Sequence, residues 1–261
     1  FPRLPAESSA CQALVSERIP IMPYKVRRLL VEQFWDGPIN KRDTILNDRR
    51  NDHCLIRPYL GRRRTTAQPG EPETALATGE PRRRTLRNYP LHVDQLDALG
   101  LPAQEYASAM ADALAFLLWD VQIDACDVEF VPAQPRALEK AKPFHPKIVT
   151  VLKLVTFPPE VLGPHVLWIL DFDCCRPLPM SIEGIERAAE CFWRNDPFYP
   201  NPGAKFERDM AIWEVFRDRF LSTSARILTL RDETTQKLPG QFISRVVETV
   251  GMYSKGTTRG T

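Results

Sequence analysis

The chain has 261 residues, of which 43% are hydrophobic and 26% charged, proportions of an ordinary globular protein that exclude a disordered, fibrous or membrane-embedded polymer. A chain of this length buries roughly three quarters of the surface its unfolded form exposes, so it needs no external staple. Thirty-five Lys and Arg against thirty-three Asp and Glu leave a net charge of +2, which gives no argument for nucleic acid or an acidic membrane as an obligatory partner.

The start, Phe1-Pro2-Arg3-Leu4-Pro5, has neither an initiator Met nor the basic-then-apolar grammar of a signal peptide, and the expectation is that the true amino terminus lies upstream. Cys11 to Val15 reads as a strand. Tyr24 to Trp35, with apolar Val26, Leu29, Leu30, Val31 and Phe34 between charged positions, predicts an amphipathic helix stopped by Asp36-Gly37-Pro38. His53 to Leu60 is a strand that Pro58 assigns to an edge. Residues 1–60 are therefore read as an amino-terminal strand and helix region. Residues 61–85 carry two arginine triplets, Arg62 to Arg64 and Arg82 to Arg84, among Pro and Gly; this predicts a flexible surface insertion with solvated arginines.

Residues 86–261 form the main predicted domain. His92 to Leu99 is a short helix, and Pro102 opens a long one to Val121, whose Tyr106, Met110, Leu114, Leu117 and Leu118 share a face. Val128 to Val131 is a short strand. Lys147 to Phe157 and Val166 to Phe172 read as a hairpin, the second strand running through the core and ending in an acidic tip, Asp171-Phe172-Asp173. Ser181 caps a helix to Arg194 with Ile182, Ile185, Ala189, Phe192 and Trp193 inward. After the turn Asn195 to Gly203, Phe206 to Phe220 and Phe242 to Val250 give further helices. The fold class read from this pattern is α+β, with short strands and a mainly helical carboxyl half.

No run of eighteen apolar residues exists, so no transmembrane helix is expected. The six cysteines are scattered without Cys-x-x-Cys spacing, which predicts reduced thiols in an intracellular protein, cytoplasmic or nuclear. Cys174-Cys175 are adjacent, with His165 and Cys191 on other elements, so a structural zinc site has no support from spacing.

Three acids stand where the chain leaves core elements: Asp124 after the long helix, Glu129 in the next strand and Asp171 at the end of an apolar one. Their order resembles the large lobe of the kinase-like fold, where a helix leads to a loop Asp that accepts the substrate proton, an Asn five residues on holds magnesium, and a later strand delivers the Asp of Asp-Phe-Gly. That resemblance implies Asp124 as catalytic base and Glu129 and Asp171 as metal ligands, with ATP and magnesium as cofactors. The chain departs from the pattern at Gln122 in place of His, Glu129 in place of Asn and Asp173 in place of Gly, as in aminoglycoside-phosphotransferase-like kinases. It has no glycine-rich phosphate loop or early-strand Lys, which leaves most of the small lobe missing. The ordinary alternative is that Asp124 and Asp127 cap or turn the chain after the helix, and that Asp173 accepts backbone N–H bonds in the turn before Arg176-Pro177.

The strings Ile19 to Leu30, Leu55 to Arg63, Ile123 to Val131 (with Asp-Val-Glu-Phe-Val), Leu170 to Asp173 and Asn195 to Pro200 look like an uncharacterised fungal family, catalogued as a domain of unknown function and labelled a zinc-finger protein. The resemblance implies no activity. Three functions follow for test: a non-catalytic kinase-like interaction or regulatory module with a protein partner and no cofactor; a divergent phosphotransferase using ATP and magnesium; and a nuclear adaptor that binds a polyanion through the arginine triplets.

Overall fold

The computed structural model describes residues 18–35, 37–64, 85–135 and 161–252. Among them the chain is α+β, with seven α-helices and two two-stranded sheets. None of the described helices is long and apolar enough to cross a membrane. Cys11 to Val15, the hairpin strand 147–157 and Arg82 to Arg84 lie outside the described residues.

Helix α1 (Tyr24–Phe34) buries Val26, Leu30 and Val31 on one stripe, as its spacing requires. After the short α2 (Arg42–Asn47), β1 (Ile56–Tyr59) pairs in parallel with β2 (Tyr89–His92), in the register Ile56 to Tyr89. Pro58 is tolerated because a sheet of two strands is all edge. Buried Asn51 ties α2 to the segment that leads into β2: its Oδ1 accepts from Thr85 Oγ1 at 2.8 Å and Leu86 N at 2.9 Å, and its Nδ2 donates to Ile45 O at 2.8 Å.

After α3 (Val93–Ala98) the centre of the molecule is α4 (Ala103–Phe116), in which Tyr106, Ala107, Met110, Ala111 and Ala115 are fully buried. Its alanines present little side-chain bulk, which lets α6 (Glu207–Ile227) approach closely. Across that contact Asp112 accepts both guanidinium N–H groups of Arg219 at 2.7 Å, and Trp119 Nε1 donates to Ser224 Oγ at 2.7 Å. The last turn of α4 widens to a π-turn over Leu117–Val121 and ends at Gln122 with φ 60°. Helices α5 (Ile182–Arg194) and α7 (Glu233–Glu248) complete the carboxyl half. Between them lies an aromatic core: Phe192 stacks on Tyr199 with centroids 4.9 Å apart, and Phe216 sits 5.7 Å from Tyr199 and 5.8 Å from Trp213.

Several expectations are corrected. Strand β4 (Val166–Leu170) pairs antiparallel with β3 (Glu129–Ala133), Glu129 opposite Leu170, a pairing not expected from the sequence; the expected hairpin partner 147–157 lies outside the described residues. All five β4 residues are only half-buried, whereas β3 is buried along its whole length, and Asp171 to Asp173 are exposed; the acidic tip is peripheral. Ile182 is 56% exposed at the start of α5, and Val247 and Val250 face solvent. Helix α7 begins at Asp232, which caps it by accepting from Thr235 N at 3.0 Å, ten residues before its apolar stripe becomes readable. Arg63 is not a solvated loop arginine: it binds Asp209 at 2.5 Å and Asp97 at 2.8 Å and lies over the Phe206 ring.

Candidate functional site

The loop between α4 and β3 is drawn into an unusual shape. Gln122, Ala125 and Asp127 all have positive φ, and so does Asp171 at the facing end of β4. Such backbone is held only where the surroundings over-determine it. Here the determinants are hydrogen bonds to residues 176–178, which run alongside the loop: Asp124 N donates to Arg176 O at 3.0 Å and Leu178 N to Gln122 O at 2.7 Å.

Asp124 lies at the centre of this arrangement. Its side chain is 2% exposed. Oδ1 accepts from Arg176 N at 2.9 Å and from Cys126 N at 3.3 Å, while Oδ2 faces Arg187 Nε of α5 at 3.3 Å. A buried carboxylate requires such compensation, and the turn-forming role expected of Asp124 from the sequence is the one these contacts describe.

Glu129 opens β3, its side chain buried against Arg57 of β1, with Nη2 at 2.5 Å. Burial pushes its carboxyl above the usual carboxylate range, and the Arg57 charge opposes that rise. The other end of Arg57 meets Asp196 at 3.2 Å, and the Tyr59 hydroxyl donates to the same carboxylate. Asp171 is exposed one residue beyond the Glu129 partner. Its carboxyl is raised by desolvation first and then by the hydrogen bond and charge of Asp173. The structure thus gathers Glu129 and Asp171 near one end of the β3–β4 pair, where both feel Arg57 and Asp127, while the Asp124 carboxylate is engaged by α5.

Arg57, Arg187, Asn195 and Asp196 were not singled out as candidates from the sequence. A lone arginine inside the apolar run Cys54 to Leu60 was the available signal for Arg57, since such a charge must find a partner; Arg187 offered none, being one of several charged residues on a helix.

The thiols that looked scattered are not. Cys126, Cys175 and Cys191 meet beside Asp124, with Cys175 Sγ donating to Cys126 O at 3.5 Å, and burial raises the Cys191 thiol with Cys126 adding to the rise. Burial raises Cys175 to about 11, and the Asp173 charge raises Cys174.

Against these facts stand the comparisons with known proteins. A model of a domain family of unknown function, described as "Zinc finger protein", matches residues 167–232, from β4 through the whole of α6 to Asp232. No curated protein and no solved structure matches the chain. The zinc in that description finds no fit: among the described residues no group of three or more His, Cys, Asp or Glu is arranged to hold a metal ion. Two of the described histidines are engaged elsewhere, His165 between Tyr106 and the Gly163 carbonyl and His53 with Arg18.

Proposed function

We propose that this chain is a non-catalytic interaction or regulatory module, built like a kinase large lobe and acting on a protein partner. The order of elements supports the architecture: a long buried helix, an Asp-bearing loop, an antiparallel strand pair, and an acidic tip before a helical carboxyl half. The observation that carries the absence of catalysis is the state of Asp124. A general base must reach the proton it removes through a free lone pair, and this carboxylate is buried under Arg187 and two backbone N–H groups. Its chemistry is that of a fastening between the loop and α5.

A divergent phosphotransferase is the second reading, favoured by one observation: Asp171 and Asp173 are exposed together at the strand tip, the place where the kinase-like fold carries a magnesium ligand. Thermal-shift titration of the full chain with magnesium and ATP separates the two. A ligand at about 100 times its Kd stabilises a fold by about 2.7 kcal/mol, a shift easily read. The module reading expects no shift with millimolar magnesium and ATP. A rise in midpoint that Asp171→Ala abolishes would overturn it in favour of the enzyme.

A further inference from the structure

Arg187 and Cys191 stand four residues apart on α5 and therefore share one face, and Asn195 follows at the cap of its carboxyl end. The loop after α4 runs along that face. Arg187 meets Asp124 at one end. At the other, Asn195 clasps the chain on both sides of Cys126: its Nδ2 donates to Ala125 O at 3.1 Å and its Oδ1 accepts from Asp127 N at 2.6 Å. Cys191 lies between the two anchors on the helix, and Cys126 lies between their targets on the loop. The two cysteines are consequently neighbours across the contact between loop and helix. Next to them the hydroxyl of Tyr199, a residue 3% exposed, has no hydrogen-bond partner among the described residues, and burial pushes it above its ordinary value. The environment is thus polar, shielded and rich in sulfur without being a metal site.

We propose that Cys126 and Cys191 form a reversible disulfide when the protein meets a peroxide, stapling the Asp124 loop to α5. Cys126 is half-exposed and Cys191 buried, which assigns the order of events. The Cys126 thiolate attacks one peroxide oxygen; the S–O bond forms, the O–O bond breaks, and the leaving hydroxide takes a proton to become water. Cys191 sulfur then attacks the Cys126 sulfenic sulfur, the S–S bond forms and the S–O bond breaks, and a second water leaves with the Cys191 proton. Two thiols are oxidised and one peroxide is reduced to two waters. Burial holds the Cys191 thiol protonated, so it is slow to react by itself and serves as the resolving partner. This inference is independent of whether the chain binds nucleotide.

The test is hydrogen peroxide treatment of the full chain, alkylation of the remaining thiols, and mass spectrometry of the non-reduced digest. The expected result is a Cys126–Cys191 linked peptide pair lighter by two hydrogens. It should be reversed by dithiothreitol, retained in Cys175→Ser and lost in Cys126→Ser, a change at a half-exposed loop position that leaves the fold intact. The thermal midpoint of the oxidised protein should rise and return on reduction. Recovery of Cys126 as sulfinic acid, recovery of Cys191 as a free alkylated thiol, or linkage of Cys126 to Cys174 or Cys175 would each overturn the proposal.

Discussion

Replacing Asp124 by Ala removes an acceptor from two backbone N–H groups and a counter-ion from Arg187. Hydrogen bonds to a charged group contribute about 1.5–3 kcal/mol each. The Arg187 side chain is 40% exposed, so its ion pair is discounted for solvent screening and adds less than about 1 kcal/mol. The expected loss for Asp124→Ala is about 3–5 kcal/mol, the range for removing one partner of a buried charged arrangement. Asp124→Asn keeps an oxygen for the N–H donors but turns an amide NH2 toward Arg187 in place of the charged acceptor, and should lose about 1–2 kcal/mol. Urea denaturation followed by fluorescence of the buried Trp119 and Trp213 reads both, as a lower midpoint at unchanged slope. If the Ala variant stays within about 0.5 kcal/mol of the parent, the range of an ordinary surface change, the carboxylate is not a structural fastening. The reasoning that removes it from catalysis then fails.

The aromatic core makes a sharper demand. Phe216 is fully buried against Phe192, Tyr199, Trp213 and Phe220, and Phe216→Ala should cost about 3–5 kcal/mol by calorimetry, whereas Leu230→Ala, at a side chain 97% exposed, should change nothing measurable. Gly184→Ala tests a clash against a propensity: alanine is the better helix former by about 1 kcal/mol, yet a Cβ at this position would meet the Pro179 carbonyl oxygen at 1.9 Å. The variant should therefore be less stable than the parent, by about 1–3 kcal/mol. Burial lowers His165 below its ordinary value of 6.5, with the Gly163 carbonyl opposing. Below that value the unfolded chain takes up a proton before the folded one does, so the stability tied to the neutral ring is full above pH 6.5 and is lost as pH falls toward the depressed folded value. Urea midpoints measured from pH 8 to pH 5 should fall on the acid side, and His165→Phe should flatten the part of that slope due to the ring.

Local periodicity made much of the fold legible. The apolar spacing of α1, α4, α5 and α6 and the runs around Ile56, Phe130 and Leu167 mark elements that the structure contains, because each must hide one face. Strand partners were not legible, since pairing is decided at long range: nothing in Ile56 to Tyr59 announces a parallel neighbour beginning at Tyr89. Burial of single residues followed the same division. Ile182 and Val247 fit a helical stripe on paper and face water because the stripe outruns the surface it covers. Asp124 looked like an accessible loop acid for the opposite reason. Its counter-ion is 63 positions away on α5, and its N–H donors belong to the backbone, which carries no residue signature.

The grip of Asn195 on the loop around Cys126 bears on how the molecule assembles. Loop residues with left-handed backbone resist forming alone, and the groups that hold them arrive from a helix far along the chain. The loop should therefore become native only as α5 docks, late on the folding path. Its opening in the native state should follow that of α5 as one cooperative unit. The Asp127 amide, hydrogen-bonded to Asn195 Oδ1, is then a single-proton reporter: its rate of exchange with heavy water measures how often the carboxyl half lets go of the strand pair.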